Sequence, residues 1–204
     1  MHRNANSNSG IAELILENTH PLQQLTDLLR ELSCGQYSAG CNARGQHTIG
    51  KHVRHIVDHY SVFLSGVERI GSAIDYEQRS REALLEQEPQ ATADRLSKLC
   101  QRLERLGNSG EDHPLQLDYA THETTVATSS SLGRELAFLA SHTIHHMAII
   151  AMLAEQVGIA TSEDFGVHPS TLRYRQKQEM LQTLGAEQML QTSFEAQSHP
   201  ARST

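Results

Sequence analysis

Apolar residues recur at the spacing of an α-helix in four long segments of this 204-residue chain, and no other feature limits the fold as strongly. In one segment, Leu96, Leu99, Leu103 and Leu106 follow one another at intervals of three and four residues. A helix of this kind has one apolar face, which has to be buried against a neighbouring element. The pattern therefore predicts an all-α fold in which four helices form a bundle.

Capping and helix-breaking residues indicate where these helices begin and end. The predicted helices cover residues 11–32, 48–71, 78–107 and 131–157. Thr48 and Ser131 belong to the residue types that cap helix N-termini with a side-chain oxygen. Pro21 is expected to kink or restart the first helix, and Pro89 to divide the third.

A short β-hairpin is predicted directly before the last bundle helix. Leu115, Leu117 and Tyr119 alternate with polar residues, and a second short run covers 125–128 after a turn. The long link that contains the hairpin permits a crossover between helices. The expected organisation is a disordered N-terminus over 1–10, the bundle over 11–175, and a C-terminal helix and tail over 176–204, with that helix near 175–191.

Composition argues against several classes of protein. The chain has 17 Lys and Arg against 24 Asp and Glu, and the net charge of −7 does not suit a nucleic-acid-binding face. No run approaches the roughly 18 apolar residues of a membrane span, and no apolar signal segment stands at the N-terminus. Cys34, Cys41 and Cys100 fit no zinc-ribbon spacing and are expected to be reduced, small apolar side chains. These observations predict a cytoplasmic protein with neither nucleic acid nor membrane as partner.

Histidine is unusually frequent, and its placement is uneven. Seven of the 13 histidines fall in two windows, over 47–59 and 142–146. In the second predicted helix, His52, His55 and His59 stand at i, i+3 and i+7 and border the apolar stripe. In the last helix, His142 and His146 stand at i, i+4 on the core-facing side, whereas the intervening histidine at 145 points toward the flank.

Two imidazoles at i, i+4 project from one helix face and can bind one metal ion. A facing helix of the bundle can supply a third ligand, and three protein ligands leave a position open for water. Such pairs also arise by chance, and core histidines can be satisfied by ordinary hydrogen bonds. The spacing alone leaves a metal site and a hydrogen-bonded core cluster as alternatives.

The two histidine windows resemble those of the DinB-like (DinB/YfiT) superfamily. The similarity rests on residues 49–59, Ile-Gly-Lys-His-Val-Arg-His-Ile-Val-Asp-His, and on residues 141–146, Ser-His-Thr-Ile-His-His. Residues 75–79, Asp-Tyr-Glu-Gln-Arg, and 165–174 resemble segments of one uncharacterised branch. The resemblance covers roughly 11–175 and implies a DinB-like four-helix bundle, with the hairpin before its last helix.

The resemblance also implies a ligand set of three histidines. His142 and His146 match the paired ligands, and His55 is the best match for the ligand on the second helix. His59 stays open as a fourth ligand, a base or a group that orients a ligand, and the role of His52 also stays open. Glu135 is a further candidate for base or orienting group. Asp58 is a weaker one, for which a plain structural charge is the favoured interpretation.

The metal implied is divalent, zinc or nickel in the first place, with iron as a further possibility. The function implied is that of a metal-dependent enzyme, a thiol-dependent transferase or a hydrolase, acting on a small molecule that includes or uses a thiol. The alternative is a non-catalytic, stress-associated metal-binding bundle or dimerisation module. Members of the family are often dimers, so the resemblance also implies a homodimer.

Arginines suit carboxylate recognition, although surface arginines more often bind no ligand. The candidates are Arg54, Arg79, Arg134 and Arg173.

Overall fold

The computed structural model describes residues 4–41, 45–69, 71, 73–107 and 111–197. Six α-helices, one 3-10 turn over Ala83–Glu86 and one antiparallel hairpin make up this part of the chain. The helices are α1 (Asn4–Glu31), α2 (Cys34–Ser38), α3 (Ile49–Glu68), α4 (Pro89–Gly107), α5 (Leu132–Gln156) and α6 (Pro169–Gln197), and the strands are β1 (Pro114–Ala120) and β2 (Thr125–Ser131).

Four of these helices form the predicted bundle. α1 packs against α4 and α5, and α3 packs against α5 and α4, around one continuous apolar core. Leu25 of α1, Phe63 of α3, Leu96 of α4 and Leu139 of α5 are fully buried in it. Each fully buried side chain of this size stabilises the fold by about 1.5–3 kcal/mol relative to exposure. The all-α bundle expected from the apolar periodicity is confirmed.

The helices that matter for the site begin where the sequence predicts. Thr48 caps α3, its hydroxyl accepting a hydrogen bond from the Lys51 amide at 3.0 Å. Ser131 caps α5 in the same way, accepting from the Arg134 amide at 3.3 Å. The hairpin is also confirmed, with β1 and β2 antiparallel and β2 leading directly into α5. These caps fix the first turns, and therefore the rotational phase, of the two helices that carry the histidines.

The first helix departs from expectation at its start and at its proline. α1 begins at Asn4, so residues 4–10 are helical where disorder was predicted. Asn and Ser are weak helix formers but do not stop a helix that is nucleated downstream. α1 also continues through Pro21. Leu22, Leu25 and Leu29 are buried directly after the proline, and this packing outweighs the one backbone bond that proline removes.

The predicted helix over 78–88 is wrong. Apart from the 3-10 turn, the chain before α4 is non-helical, and Arg81 has a left-handed φ of 48°. The reason lies in the residues just upstream: the Ile74 amide donates to Gln116 O at 2.8 Å, and the Asp118 amide donates to Ile74 O at 2.9 Å. These bonds form a parallel bridge to β1. Residues 73–82, which we call the crossover segment, are therefore tied to the hairpin instead of coiling into a helix.

Two further elements differ from the prediction. α2 lies inside the predicted loop over 33–46 and is started by a capping box between Ser33 and Gln36. α6 begins at Pro169, because proline suits the first position of a helix, and so it starts before the predicted residue 175. The chain divides into two compact units at 166/167. Residues 198–204 of the predicted tail lie outside the described residues.

Within the described residues, α5 is the one helix that is long and apolar enough to cross a membrane by length and composition. The sequence analysis expected none. Of its most apolar 18-residue window, 44% is buried inside the bundle. A core helix passes the same test, and α5 occupies that position here.

Candidate metal centre

His55 of α3 meets His142 and His146 of α5 where the two helices face each other. One ring nitrogen from each of the three lies within 4.8 Å of the other two. His55 Nε2 is 3.0 Å from His142 Nε2, and the ring centroids of His55 and His146 are 4.5 Å apart. Two nitrogens bound to one tetrahedral zinc ion are about 3.3 Å apart. The three residues, which we call the histidine centre, are therefore close to the spacing that one ion requires.

The imidazoles of the histidine centre are kept neutral by their surroundings. Burial, followed by the neighbouring histidines, lowers the pKa of His55 and His146 to about 3. The same causes, with Arg79 as a further one, lower the pKa of His142 to about 4. A neutral imidazole has one nitrogen lone pair, which is the donor that a metal ion uses. At neutral pH the chain thus presents three uncharged nitrogen donors together.

His59 lies beside the centre in a fixed tautomer. Its ring is buried, its centroid is 4.4 Å from that of His142, and its Nδ1 is 2.9 Å from the carbonyl oxygen of His55. A carbonyl only accepts hydrogen bonds, so Nδ1 carries the proton and Nε2 carries the lone pair. Burial lowers the pKa of His59. Its free lone pair suits a proton acceptor, which is one of the roles the sequence left open.

His52 contacts the centre from the other side. Its Nδ1 is 3.0 Å from Nδ1 of His146, so one of the two rings donates to the other. When Nε2 of His146 binds a metal ion, its Nδ1 carries the proton and donates to His52. His52 would thereby fix the orientation of a ligand without binding the ion itself. His145 is exposed on the flank of α5, as predicted.

Glu135 is fully buried but hydrogen-bonds to no imidazole. Its carboxylate accepts from the Tyr76 hydroxyl at 2.8 Å, the Ser130 hydroxyl at 2.5 Å and Arg134 Nη1 at 2.7 Å. The Tyr76 ring then stacks on His59 at 5.5 Å. Burial and the adjacent carboxylate raise the pKa of Tyr76, which keeps the hydroxyl protonated as a donor. Glu135 is therefore linked to the centre through Tyr76, which the crossover segment places against both His59 and Phe138.

Asp58 has the structural role that the sequence favoured. Its carboxylate is 2% exposed and accepts from Arg54 Nη1 at 3.0 Å and from the Ser80 hydroxyl at 3.4 Å. Arg54 Nε also lies 2.6 Å from a carboxylate oxygen of Glu86, close enough for an ion pair although not aligned as a hydrogen bond. Asp58 is therefore paired within its own helix, with an arginine that it shares with Glu86 of the 3-10 turn.

Arg79, one of four arginines left open by the sequence, reaches the centre from the crossover segment. Its Nη1 is 3.3 Å from Nδ1 of His55, and its Nε is buried without a hydrogen-bond partner among the described residues. No sequence pattern predicts that Arg79 and Tyr76 lie here, because helical periodicity gives no information about a non-helical segment. The one available signal was the family-like run over 75–79.

A mainly apolar cleft of about 350 Å³ borders the centre. Tyr76, Leu117, Tyr119 and Phe138 form most of its wall, and Arg134 lies at its side. The Phe138 ring stacks on His142 at 5.5 Å. The cleft therefore shares a wall of aromatic rings with the histidine centre and has room for a small organic group.

The cysteines contribute nothing to the centre. Cys34, Cys41 and Cys100 are all unpaired; Cys34 is exposed and Cys100 is buried. Burial raises the pKa of Cys100 to about 11, which makes it a poor nucleophile. Cys100 has the predicted position of a small apolar side chain, whereas Cys34 is exposed with its Sγ 3.7 Å from a carboxylate oxygen of Glu88.

Comparison with known proteins identifies relatives across most of the chain. A model described as the DinB family matches residues 1–169. A curated protein named FK506-binding protein 5, from Rhizopus delemar, is 31% identical over 112 residues, which are 53% of this chain and 29% of that protein. The match thus spans under a third of the length of that relative.

Proposed function

The chain belongs to the DinB family, and on that premise we propose that it is a metal-dependent enzyme whose divalent ion is held by His55, His142 and His146. The observation that carries the proposal is the convergence of three neutral imidazoles from two helices, with no protein carboxylate or thiolate among them. Three protein ligands leave a coordination position for a substrate, as in catalytic zinc sites.

The three imidazole nitrogens are suitable ligands for a divalent metal ion. Imidazole nitrogens suit zinc and nickel, the two metals we favour, and also iron. When bound, the ion supplies Lewis acidity that lowers the pKa of a thiol or water and provides a nucleophile near neutral pH. The protein's own task is to hold the three rings, keep them neutral by burial and accept a proton nearby.

We assign to His59 the role of accepting the proton that the thiol or water loses. Its Nδ1 is committed to the His55 carbonyl, so Nε2 is the acceptor, and the stacked Tyr76 ring holds it in place. Tyr76 is itself fixed by its hydrogen bond to Glu135. Of the two candidate bases, we therefore favour His59. Glu135 positions His59 through its hydrogen bond to Tyr76.

We propose a small-molecule substrate and a reaction of the thiol-dependent transferase or hydrolase class. The apolar cleft beside His142 would hold the body of the substrate while its reactive end enters the histidine centre. A cytoplasmic location and a homodimeric state belong to this proposal as expectations from the composition and the family resemblance.

Metal analysis of protein purified without a histidine tag tests the assignment. The unaltered chain should bind about one zinc or nickel ion per chain, and the variant H142A/H146A should bind none. H145A is the matched control, because it removes an exposed imidazole from the same helix. Equal, substoichiometric metal in all three proteins would refute the metal centre.

A non-catalytic metal-binding or dimerisation module is the alternative. The same histidine centre supports it, since an ion held by three ordered histidines can serve structure or sensing as well as catalysis. Transfer assays with glutathione, bacillithiol and mycothiol against electrophilic substrates separate the two. Metal-loaded protein that is inert in all of them would favour the module.

A further inference from the structure

Among the described residues, no carboxylate hydrogen-bonds to the histidine centre or to Arg79. Three neutral imidazoles with a divalent ion would carry two positive charges, and Arg79 adds a third next to His55. The two buried carboxylates nearest in sequence to the ligands are held by other donors: Asp58 by Arg54, which Glu86 shares, and Glu135 by Arg134 and two hydroxyl groups. Partly buried charges of one sign without a partner favour binding an anion.

Arg79 differs from the other arginines of this region in what it touches. Arg54 lies between Asp58 and Glu86, and Arg134 lies on Glu135. Arg79 touches only the imidazole of His55, and its Nε is buried and unpartnered among the described residues. Its guanidinium therefore keeps unused donors at the mouth of the centre.

The contact between Arg79 and His55 is compatible only with one proton arrangement. Nη1 is a donor, so Nδ1 of His55 must accept, and Nε2 then carries the proton that points to His142. An imidazole that gives its Nε2 lone pair to an ion carries the proton on Nδ1 instead. Two donors then face each other, and an acceptor between Arg79 and His55 resolves the conflict. Metal-bound histidines commonly donate this proton to a carboxylate.

We infer that Arg79 recognises a carboxylate on the molecule that enters the histidine centre. The inference rests on the proposed function, because it takes the three histidines as metal ligands. A guanidinium matches a carboxylate with two parallel hydrogen bonds, and the aromatic cleft next door fits the apolar remainder of an organic acid. The substrate class is thus a small carboxylic acid with an apolar body.

Cobalt-loaded protein provides the test, since its visible absorption changes when an anion enters the centre. Acetate, benzoate and inorganic phosphate are titrated into the unaltered chain, R79Q, R79K and R30Q. R30Q removes the same charge from an exposed side chain of α1 that lies near Asp27. Cobalt content and melting temperature are measured for each variant, to show that all are folded and loaded.

We expect benzoate to bind more tightly than acetate, and R79Q to weaken both by about tenfold or more, with R30Q unchanged. R79K should restore part of the affinity, because it keeps the charge but not the planar fork. Equal affinities in R79Q and the unaltered chain would overturn the inference. Tighter binding of phosphate than of acetate would overturn the choice of carboxylate.

Failure of the metal proposal is separately visible. If cobalt does not bind, the metal centre is refuted, and benzoate binding to the metal-free chain is followed by NMR line broadening. If the metal-free chain binds benzoate and R79Q does not, Arg79 is supported as the carboxylate site. If R79Q binds benzoate equally well, or if neither protein binds it, the assignment of Arg79 is refuted.

Discussion

Two polar clusters occupy the same interface between α3 and α5, one residue apart on each helix, and they differ in how completely their hydrogen bonds are satisfied. Tyr60 follows His59 and Thr143 follows His142. Tyr60 donates to Asn18 Oδ1 at 2.7 Å and accepts from the Thr143 hydroxyl at 3.1 Å. Asn18 in turn donates to the carbonyls of Leu14 and Leu136. This buried triad is closed, because its donors all have protein acceptors.

The histidine centre is open by the same measure. Its rings are partly exposed, and His55 and His142 pair mainly with each other and with neighbouring rings. A closed network stabilises the fold, whereas partly exposed rings that hydrogen-bond mainly to one another can exchange those bonds for an outside ligand. The comparison therefore predicts that the buried triad supplies stability and the histidine centre supplies binding.

The largest expected effect is loss of metal affinity in H55A. Removing one of three ligands should weaken zinc or nickel binding by on the order of 100-fold or more, since even outer partners of a ligand contribute 10–100-fold. The unfolding free energy of the metal-free protein should fall by less than that of a variant in the buried triad, because the His55 ring is partly exposed and water can replace its hydrogen bonds with Arg79 and His142. Chelator competition gives the affinity and chemical denaturation gives the stability. A variant that unfolds yet still binds metal tightly would reverse the assignment.

The counterpart is Y60F in the buried triad. It leaves Asn18 Oδ1 and the Thr143 hydroxyl without their partner, and we expect a loss of about 1–3 kcal/mol of unfolding free energy. Metal affinity should stay within about twofold of the unaltered chain, as the ligand rings are untouched. Y119F, at an exposed tyrosine, is the control and should change stability by less than about 0.5 kcal/mol.

A smaller effect is expected for H52A. His52 orients His146 through the contact between their Nδ1 atoms, so its loss should weaken metal binding by about tenfold without abolishing it. H145A again serves as the comparison from the exposed flank of α5. If H52A binds the metal as tightly as the unaltered chain, His52 does not orient His146.

The smallest effect is a dependence of the metal-free protein's melting temperature on pH. The folded pKa values of His55, His142 and His146, at about 3 to 4, lie below the value of about 6.5 in the unfolded chain. Below pH 6.5 the unfolded state takes up protons that the folded state does not, so stability is lost as pH falls. The melting temperature should drop by several degrees between pH 7.5 and 5, and the variant H55Q/H142Q/H146Q should drop less.

The sequence was sufficient for the bundle and for the rings of the centre, and insufficient for what surrounds them. Helical periodicity with the caps Thr48 and Ser131 fixed the faces of α3 and α5, and the family resemblance singled out His55. The pairing of His52 with His146 and the positions of Tyr76 and Arg79 depend on contacts between distant segments. One of those segments is non-helical, so no periodic pattern encodes where its side chains lie.

The parallel bridge between Ile74 and Leu117 attaches the crossover segment to the hairpin. The side chains of this segment can be substituted more freely than those of the bundle helices. The three histidines of the centre stand on helices whose other faces form the core, so their positions are constrained by the whole bundle. Arg79 and Tyr76 arrive on a strip of backbone held to the hairpin by two amide bonds to carbonyls. Substitutions in the crossover segment can therefore alter ligand preference without disturbing the bundle. We expect related proteins to differ in specificity through this segment.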